Sequence, residues 1–226
     1  MRYWAVIPAA GVGRRMGHSV PKQYQLLLGK PVLHWSLDVF AADADCAGIM
    51  VAHAVDDHRV SSVVERPKVH LCLGGDTRRD SVLNALRRLE QSQVAADEWV
   101  FVHDAARPGI TLAVLERLKR ALLDPEVDGV IAALAVADTI KTHDAAGYVR
   151  TTLDRAQLLR AQTPQVFRLG ALAEALALHP QVTDEASAME QVGARLRWVE
   201  GSQRNHKLTT SEDWMAVTAA LEERSS

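Results

Sequence analysis

Short apolar runs alternate with amphipathic stretches along most of the chain. Tyr3–Pro8, Gly48–Ala52, Val69–Leu73, Trp99–His103 and Gly129–Val136 are apolar with little alternation, the pattern of strands covered on both faces. Between them Val82, Leu86 and Leu89 recur at helical spacing, with Asp80 or Ser81 as the expected N-cap. Leu112, Leu115, Leu118 and Leu122 repeat in the same way after Gly109–Thr111. Strand–helix alternation of this kind predicts an α/β fold, a mainly parallel sheet with right-handed crossovers. Farther on, Leu169–Leu178 and Ala186–Gln191 read as helices and Leu196–Val199 as a strand. Ser211–Glu223 reads as a closing helix, with Glu212 and Asp213 in its first turn, where the helix dipole favours acids.

The alternation breaks between Asp138 and Asp154. Polar, β-branched segments flank Asp144-Ala-Ala-Gly147, which predicts a hairpin without a strong apolar face. An isolated two-stranded ribbon is marginal in water, so this one must rest on something. A second copy of the chain is the expected support, and the segment is expected to be a projecting arm, about residues 138–158, that helps form a homodimer.

With 226 residues, 48% apolar and 24% charged, the chain reads as globular rather than disordered. Without internal repeats or a linker, residues 1–226 read as one domain carrying the arm. The net charge of -2 gives no general attraction to nucleic acid or to an anionic membrane, so any anion must be held by a local cluster. The two cysteines, Cys46 and Cys72, lack metal-ligand spacing and read as strand thiols in a reducing cytoplasm. The N-terminus lacks a signal-peptide pattern, and no apolar run approaches the roughly 20 residues a bilayer demands. A soluble, cytoplasmic protein is expected.

Candidate chemistry sits at strand ends. The run Pro8-Ala-Ala-Gly-Val-Gly-Arg-Arg-Met16 follows the first strand and is joined by Pro21-Lys22-Gln23. Small residues let backbone N–H groups approach a phosphate, and the basic side chains add charge. Met16 stands where a dinucleotide fingerprint needs its third glycine, and Pro21 precedes Lys22 where a Walker loop needs glycine. A second loop, Leu73-Gly-Gly-Asp-Thr-Arg-Arg-Asp-Ser81, opens a helix, whose start offers unpaired N–H groups. A third, Val102-His-Asp-Ala-Ala-Arg-Pro108, ends a central strand, where open α/β sheets bind ligands. Its Asp104 suits a hydroxyl or a metal, and Arg107 a phosphate. Further polar clusters are Asp138-Thr139-Ile-Lys141, Asp154-Arg155, Thr163-Pro-Gln165, Thr183-Asp-Glu185 and Asn205-His-Lys207. Taken alone, Thr183 reads as a cap for the helix that follows.

Taken together these motifs resemble the 2-C-methyl-D-erythritol 4-phosphate cytidylyltransferase family over nearly the whole chain. Val102–Pro108, Thr163-Pro-Gln165 and Thr183-Asp-Glu-Ala-Ser187 are the most particular to it. The resemblance implies a Rossmann-like nucleotidyltransferase fold, an arm-exchanged homodimer, and transfer of CMP from CTP to methylerythritol phosphate with release of pyrophosphate. It implies Mg²⁺ or another divalent cation, held mainly on the CTP phosphates, with no metal ligand assigned to the chain. It implies that Ala9, Ala10, Gly11, Gly75 and Ala105 meet the nucleotide, with Asp76 and Ser81 near the base. Arg15 and Lys22 would hold the triphosphate, assisted by Lys207, and Asp104 would position hydroxyls or act near the metal. Arg107 and Thr183 would contact the acceptor, and Thr139 and Arg155 would reach the other subunit's site. Ribitol 5-phosphate is the alternative acceptor, and a non-catalytic nucleotide-binding module the alternative class. Arg79, His206 and Ser211 depart from the family pattern and receive no role. The chain ends soon after its last helix, so no fused second enzyme is expected.

Overall fold

The computed structural model describes residues 1–11, 20–60 and 65–225. The first apolar run forms β1 (Tyr3–Pro8). A short hairpin, β2 (Leu26–Leu27) and β3 (Lys30–Pro31), leads into helix α1 (Val32–Ala42). Next come β4 (Cys46–His53), β5 (Val69–Leu73), α2 (Arg78–Gln91), β6 (Trp99–Val102) and α3 (Leu112–Ala121). The second half holds β7 (Gly129–Ala135), β8 (Lys141–His143), β9 (Val149–Thr152), β10 (Leu159–Arg168), α4 (Leu169–Leu178), α5 (Glu185–Gln191), β11 (Leu196–Glu200) and α6 (Ser211–Ser225).

Seven strands make one sheet in the order β11-β7-β10-β6-β1-β4-β5. All neighbouring pairs are parallel except those of β10, which runs antiparallel to both β6 and β7. Successive side chains of a strand face opposite sides, so β1 feeds two cores. Tyr3, Ala5 and Ile7 join Leu37 and Phe40 of α1 and Leu115 and Leu118 of α3 on one face. Val6 joins Leu86 of α2, Leu172 of α4 and Met189 of α5 on the other. A smaller cluster seats α6 on the loops through Leu27, Ala106, Leu208, Val217 and Leu221.

The strand order reverses at β1, whose neighbours β4 and β6 lie on opposite sides. The crevice at the C-terminal ends of β1 and β6 is therefore the topological switch point, where such sheets bind ligands.

The structure corrects several readings of the sequence. Helix α2 starts earlier than expected: its N-cap is Thr77, whose side chain accepts from the Asp80 amide, not Asp80 or Ser81. Thr183 does not cap α5; Asp184 does, in a reciprocal capping box with Ser187. Strand β10 contains the Thr163-Pro-Gln165 cluster in its middle. Pro164 is tolerated in a central strand because pairing with β7 is irregular between Ala161 and Gln165. The hairpin expected after Asp138 is present as β8 paired with β9, separate from the main sheet. Its turn is closed by Asp144, whose carboxylate accepts from the amides of Ala146 and Tyr148 at 3.0 Å each.

Candidate active site

A cleft of about 420 Å³ opens at the switch point. Its wall is the segment after β1, where Ala9, Ala10 and Gly11 offer backbone. Gln23 pins this segment: its amide donates to the carbonyls of Ala9 at 2.7 Å and Gly11 at 3.0 Å. The same turn carries Lys22 to the cleft, with its ammonium on the carbonyl of Leu208 at 2.8 Å. Arg15, expected beside Lys22, lies outside the described residues.

Gly75, Asp76 and Ser81 line a second wall, together with Thr77 and Arg78. The buried Ser81 hydroxyl accepts from the Gly75 amide at 3.1 Å and donates to the Thr77 carbonyl at 2.9 Å. The smallness of Gly75 is used by the loop itself, since a Cβ there would lie 2.5 Å from Cβ of Asp80. Ser81 therefore shapes the loop and presents its edge to the cleft.

Asp104 and Ala105 form the floor. Both oxygens of Asp104 are taken: Arg78 Nε donates to Oδ1 at 2.7 Å, and Lys207 Nζ lies 2.8 Å from Oδ2, with Arg107 Nε at 3.3 Å. Burial alone would resist ionisation of Asp104, but Arg78, Lys207 and Arg107 outweigh it and hold the carboxyl well below the usual range. Lys207 arrives because the 201–208 segment is pressed onto the β6–α3 loop. Gly109 allows this approach, since a Cβ there would lie 1.8 Å from the Arg204 carbonyl oxygen. His206, which the sequence left without a role, bonds Asp213 at 2.9 Å and helps fix that segment to α6.

His103 is fully buried behind the floor. Its Nε2 lies 3.1 Å from the Arg107 carbonyl and its Nδ1 3.0 Å from the Thr163 hydroxyl. The carbonyl can only accept, so Nε2 carries the proton and Nδ1 accepts from Thr163. Thr163 in turn accepts from the Asp104 amide at 3.1 Å. Burial pushes the imidazole down to about 4, so it is neutral and held by a chain of hydrogen bonds.

The structure brings most expected residues together, but not all. Ala9, Ala10, Gly11, Lys22, Gly75, Asp76, Ser81, Asp104, Ala105 and Lys207 meet in the one cleft. Arg107 does not line it: its guanidinium is turned inward, onto Asp104 and the Asn205 carbonyl at 2.9 Å. Thr183 is exposed beside α5 and does not line the cleft. Thr139 and Arg155 are exposed at the base of the hairpin, and neither lines the cleft of its own chain.

Sequence reasoning missed two residues. Arg78 reaches the cleft and bridges Asp104 and Glu185, while its neighbour Arg79 turns away to Asp80 and the Leu176 carbonyl. Glu185, wholly buried, grips Arg78 at 2.7 and 3.0 Å. The two arginines look alike in sequence, and only the helix start at Thr77 tells them apart.

Among the described residues, no group of three or more potential metal ligands lies in the cleft. The one acidic group of that size is Asp43, Asp45 and Glu116, and the Lys119 ammonium bonds all three. Asp104, with both oxygens on cations, is a poor start for an oxygen-rich Mg²⁺ shell. The cysteines are no nucleophiles: burial pushes the thiols of Cys46 and Cys72 up to about 11.

Residues 3–223 match the family model described as 2-C-methyl-D-erythritol 4-phosphate cytidylyltransferase. A protein of that name from Ectopseudomonas mendocina is 43% identical over 99% of this chain and 97% of its own length. Another from Pseudomonas putida strain KT2440 is 46% identical over 93% of this chain and 92% of its own. A solved 4-diphosphocytidyl-2C-methyl-D-erythritol synthase is 35% identical and superposes with a TM-score of 0.86, covering 97% of this chain and 98% of that one. The Francisella tularensis cytidylyltransferase gives 0.82 at 35% identity, covering 97% of this chain and all of that one. The chain belongs to the 2-C-methyl-D-erythritol 4-phosphate cytidylyltransferase family.

Proposed function

We infer that this chain transfers CMP from CTP to 2-C-methyl-D-erythritol 4-phosphate, giving 4-diphosphocytidyl-2-C-methyl-D-erythritol and pyrophosphate, in non-mevalonate isoprenoid precursor biosynthesis. The observation that carries the reading is the meeting of Lys22 with the Asp104 cluster of Arg78 and Lys207 in one switch-point cleft.

The acceptor phosphate attacks the α-phosphorus of CTP, and pyrophosphate leaves. The nucleophile is already ionised at neutral pH, so no general base is required. That agrees with a neutral, fully buried His103 and inert thiols. Charge grows on the α-phosphoryl oxygens and on the departing pyrophosphate, and fixed cations stabilise it there more than in the ground state. Lys22 and Lys207 have that task, joined by Arg15 from the first loop. Backbone at Ala9–Gly11 and Gly75, with Asp76 and Ser81, frames the nucleotide. Arg107 serves indirectly, by holding Asp104 and the segment that carries Lys207.

Mg²⁺ or another divalent cation would be carried on the triphosphate and would neutralise phosphate charge there. The hairpin supports a homodimer, since Tyr148 and Val149 are 73% and 67% exposed on it. Thr139 and Arg155 at its base would then face the partner's acceptor site, with Thr183 beside it. The two free thiols suit a cytoplasmic setting, and among the described residues no helix is long and apolar enough to cross a membrane.

The test is pyrophosphate release with CTP and Mg²⁺, comparing methylerythritol phosphate, ribitol 5-phosphate and no acceptor. Release that depends on methylerythritol phosphate is expected. Release with ribitol phosphate alone would move the acceptor assignment. CTP binding without release in any arm would leave only a nucleotide-binding module.

A further inference from the structure

The floor of the cleft is held from outside the cleft. Glu185 does not line it, yet its wholly buried carboxylate accepts two hydrogen bonds from Arg78, at 2.7 and 3.0 Å. The remaining edge of the guanidinium donates from Nε to Asp104 at 2.7 Å. A guanidinium is a rigid planar fork, so gripping two of its nitrogens fixes where the third points. Asp104 passes that placement on to Lys207, 2.8 Å away.

Glu185 is itself placed from β10. Gln165 donates to Asp184 at 2.8 Å and accepts from the Ala186 amide at 2.8 Å, clamping the residues on either side of Glu185. The capping box of Asp184 and Ser187 already secures the start of α5. The helix does not need the Glu185 carboxylate, and burying that charge is costly unless it is paired. Its pairing is with a side chain of the cleft, which points to a purpose there.

We infer that Glu185 is a positioning residue for CMP transfer, holding the Arg78 guanidinium and, through it, Asp104 and Lys207 in register with the reacting phosphates. This rests on the cytidylyltransferase reading. Loss of the carboxylate leaves the floor more positive but loosens its geometry. Attraction for the triphosphate is then kept while the arrangement needed at the transition state is lost. Displacements of about 1 Å can lower rates by about 10²-fold.

The test is steady-state pyrophosphate release by wild type, Glu185→Gln, Arg78→Gln and the double variant, with thermal unfolding of each. Glu185→Gln is expected to lower kcat by about 10- to 100-fold with the KM for CTP unchanged or lower. The double variant is expected to be no slower than Arg78→Gln, because Glu185 acts only through Arg78. A purely structural role would instead make activity follow the unfolding temperature. Wild-type kcat in Glu185→Gln, or multiplied losses in the double variant, overturns the inference. If Glu185→Gln fails to fold, the double variant, which removes both charges together, carries the comparison with Arg78→Gln. A wild-type protein without pyrophosphate release sinks the reaction reading instead, so the two failures are distinct.

Discussion

At the cleft floor Asp104 meets Arg78, Arg107 and Lys207, and Arg78 reaches on to Glu185. On the β8–β9 hairpin the polar bonds are local: Thr142 with Thr151, Lys141 with Thr152, and Asp144 with its own turn. Its Tyr148, Val149 and Leu153 are 73%, 67% and 39% exposed. The floor draws its partners from β6, α2, α5 and the 201–208 segment of one chain, and is complete within it. The hairpin draws on almost nothing beyond itself, and a two-stranded ribbon of that kind is marginal alone. The difference bears on the proposed function: the cations proposed for the nucleotide side are tied together within one chain, and the arm that carries Thr139 and Arg155 would be the part that a second copy completes.

The largest effect is expected from breaking the floor at its centre. Asp104→Asn leaves three cations around a neutral amide. Removing one member of a buried ionic cluster costs about 3–5 kcal/mol, so chemical denaturation should show a loss of that order together with loss of turnover. Substitution within the hairpin should leave monomer stability nearly unchanged by the same measurement. An Asp104→Asn protein as stable as wild type would show that the cluster is not a unit.

Lys22→Ala comes next. It deletes a half-buried cation from the cleft wall, and folding should survive. Turnover should fall by about 10²–10³-fold, the size of losing one transition-state donor. Steady-state kinetics with both substrates checks this, and wild-type turnover would remove Lys22 from the reaction.

Acid should probe the layer behind the floor. Folded His103 accepts a proton only near pH 4, whereas the unfolded chain does so near the ordinary histidine value of 6.5. Between these values the unfolded state binds more protons, so stability is lost as pH falls from about 6.5 to about 4, by up to about 3 kcal/mol. Asp104, held well below the usual carboxylate range, stays ionised through that window and is not the source. Thermal unfolding against pH should therefore slope for wild type and flatten for His103→Gln. Equal slopes would place the acid sensitivity elsewhere.

The same contrast governs what the sequence revealed. Strands β1 and β5 and helix α4 were legible at their true limits, because apolar runs and helical spacing are local signals. Helix α1 was not: Val32–Ala42 is apolar on most sides and follows Pro31 in place of a side-chain cap. Strand β10 was hidden by Pro164 in its middle, which argues against a central strand until its irregular pairing is seen. Ten cleft residues were legible through the family resemblance, which rests in part on glycines and charges clustered after strands. Glu185 was not, since a first-turn acid ordinarily serves the helix dipole and its partner lies 107 residues away in sequence. The hairpin was legible from the polar, β-branched segments that flank Asp144-Ala-Ala-Gly147.

The arm gives the finest test. Arg155→Ala should raise the KM for methylerythritol phosphate by about 10- to 100-fold, the worth of one hydrogen bond to a charged group at about 1.5–3 kcal/mol, with CTP affinity nearly intact. Equal loss for both substrates would contradict an acceptor-side role. Whether Arg155 serves its own chain or its partner's is settled by mixing. In a two-fold dimer whose arms cross, a Lys22→Ala subunit paired with an Arg155→Ala subunit has one site with both lesions and one site with neither. Subunit exchange at equal amounts should then restore about a quarter of wild-type activity at low acceptor, from two nearly inactive parents. If the arm serves its own chain, each mixed site keeps one lesion and nothing is restored. Restoration would show that the open half of the molecule is completed by a second copy of it, and its absence would put Arg155 back on the chain that carries it.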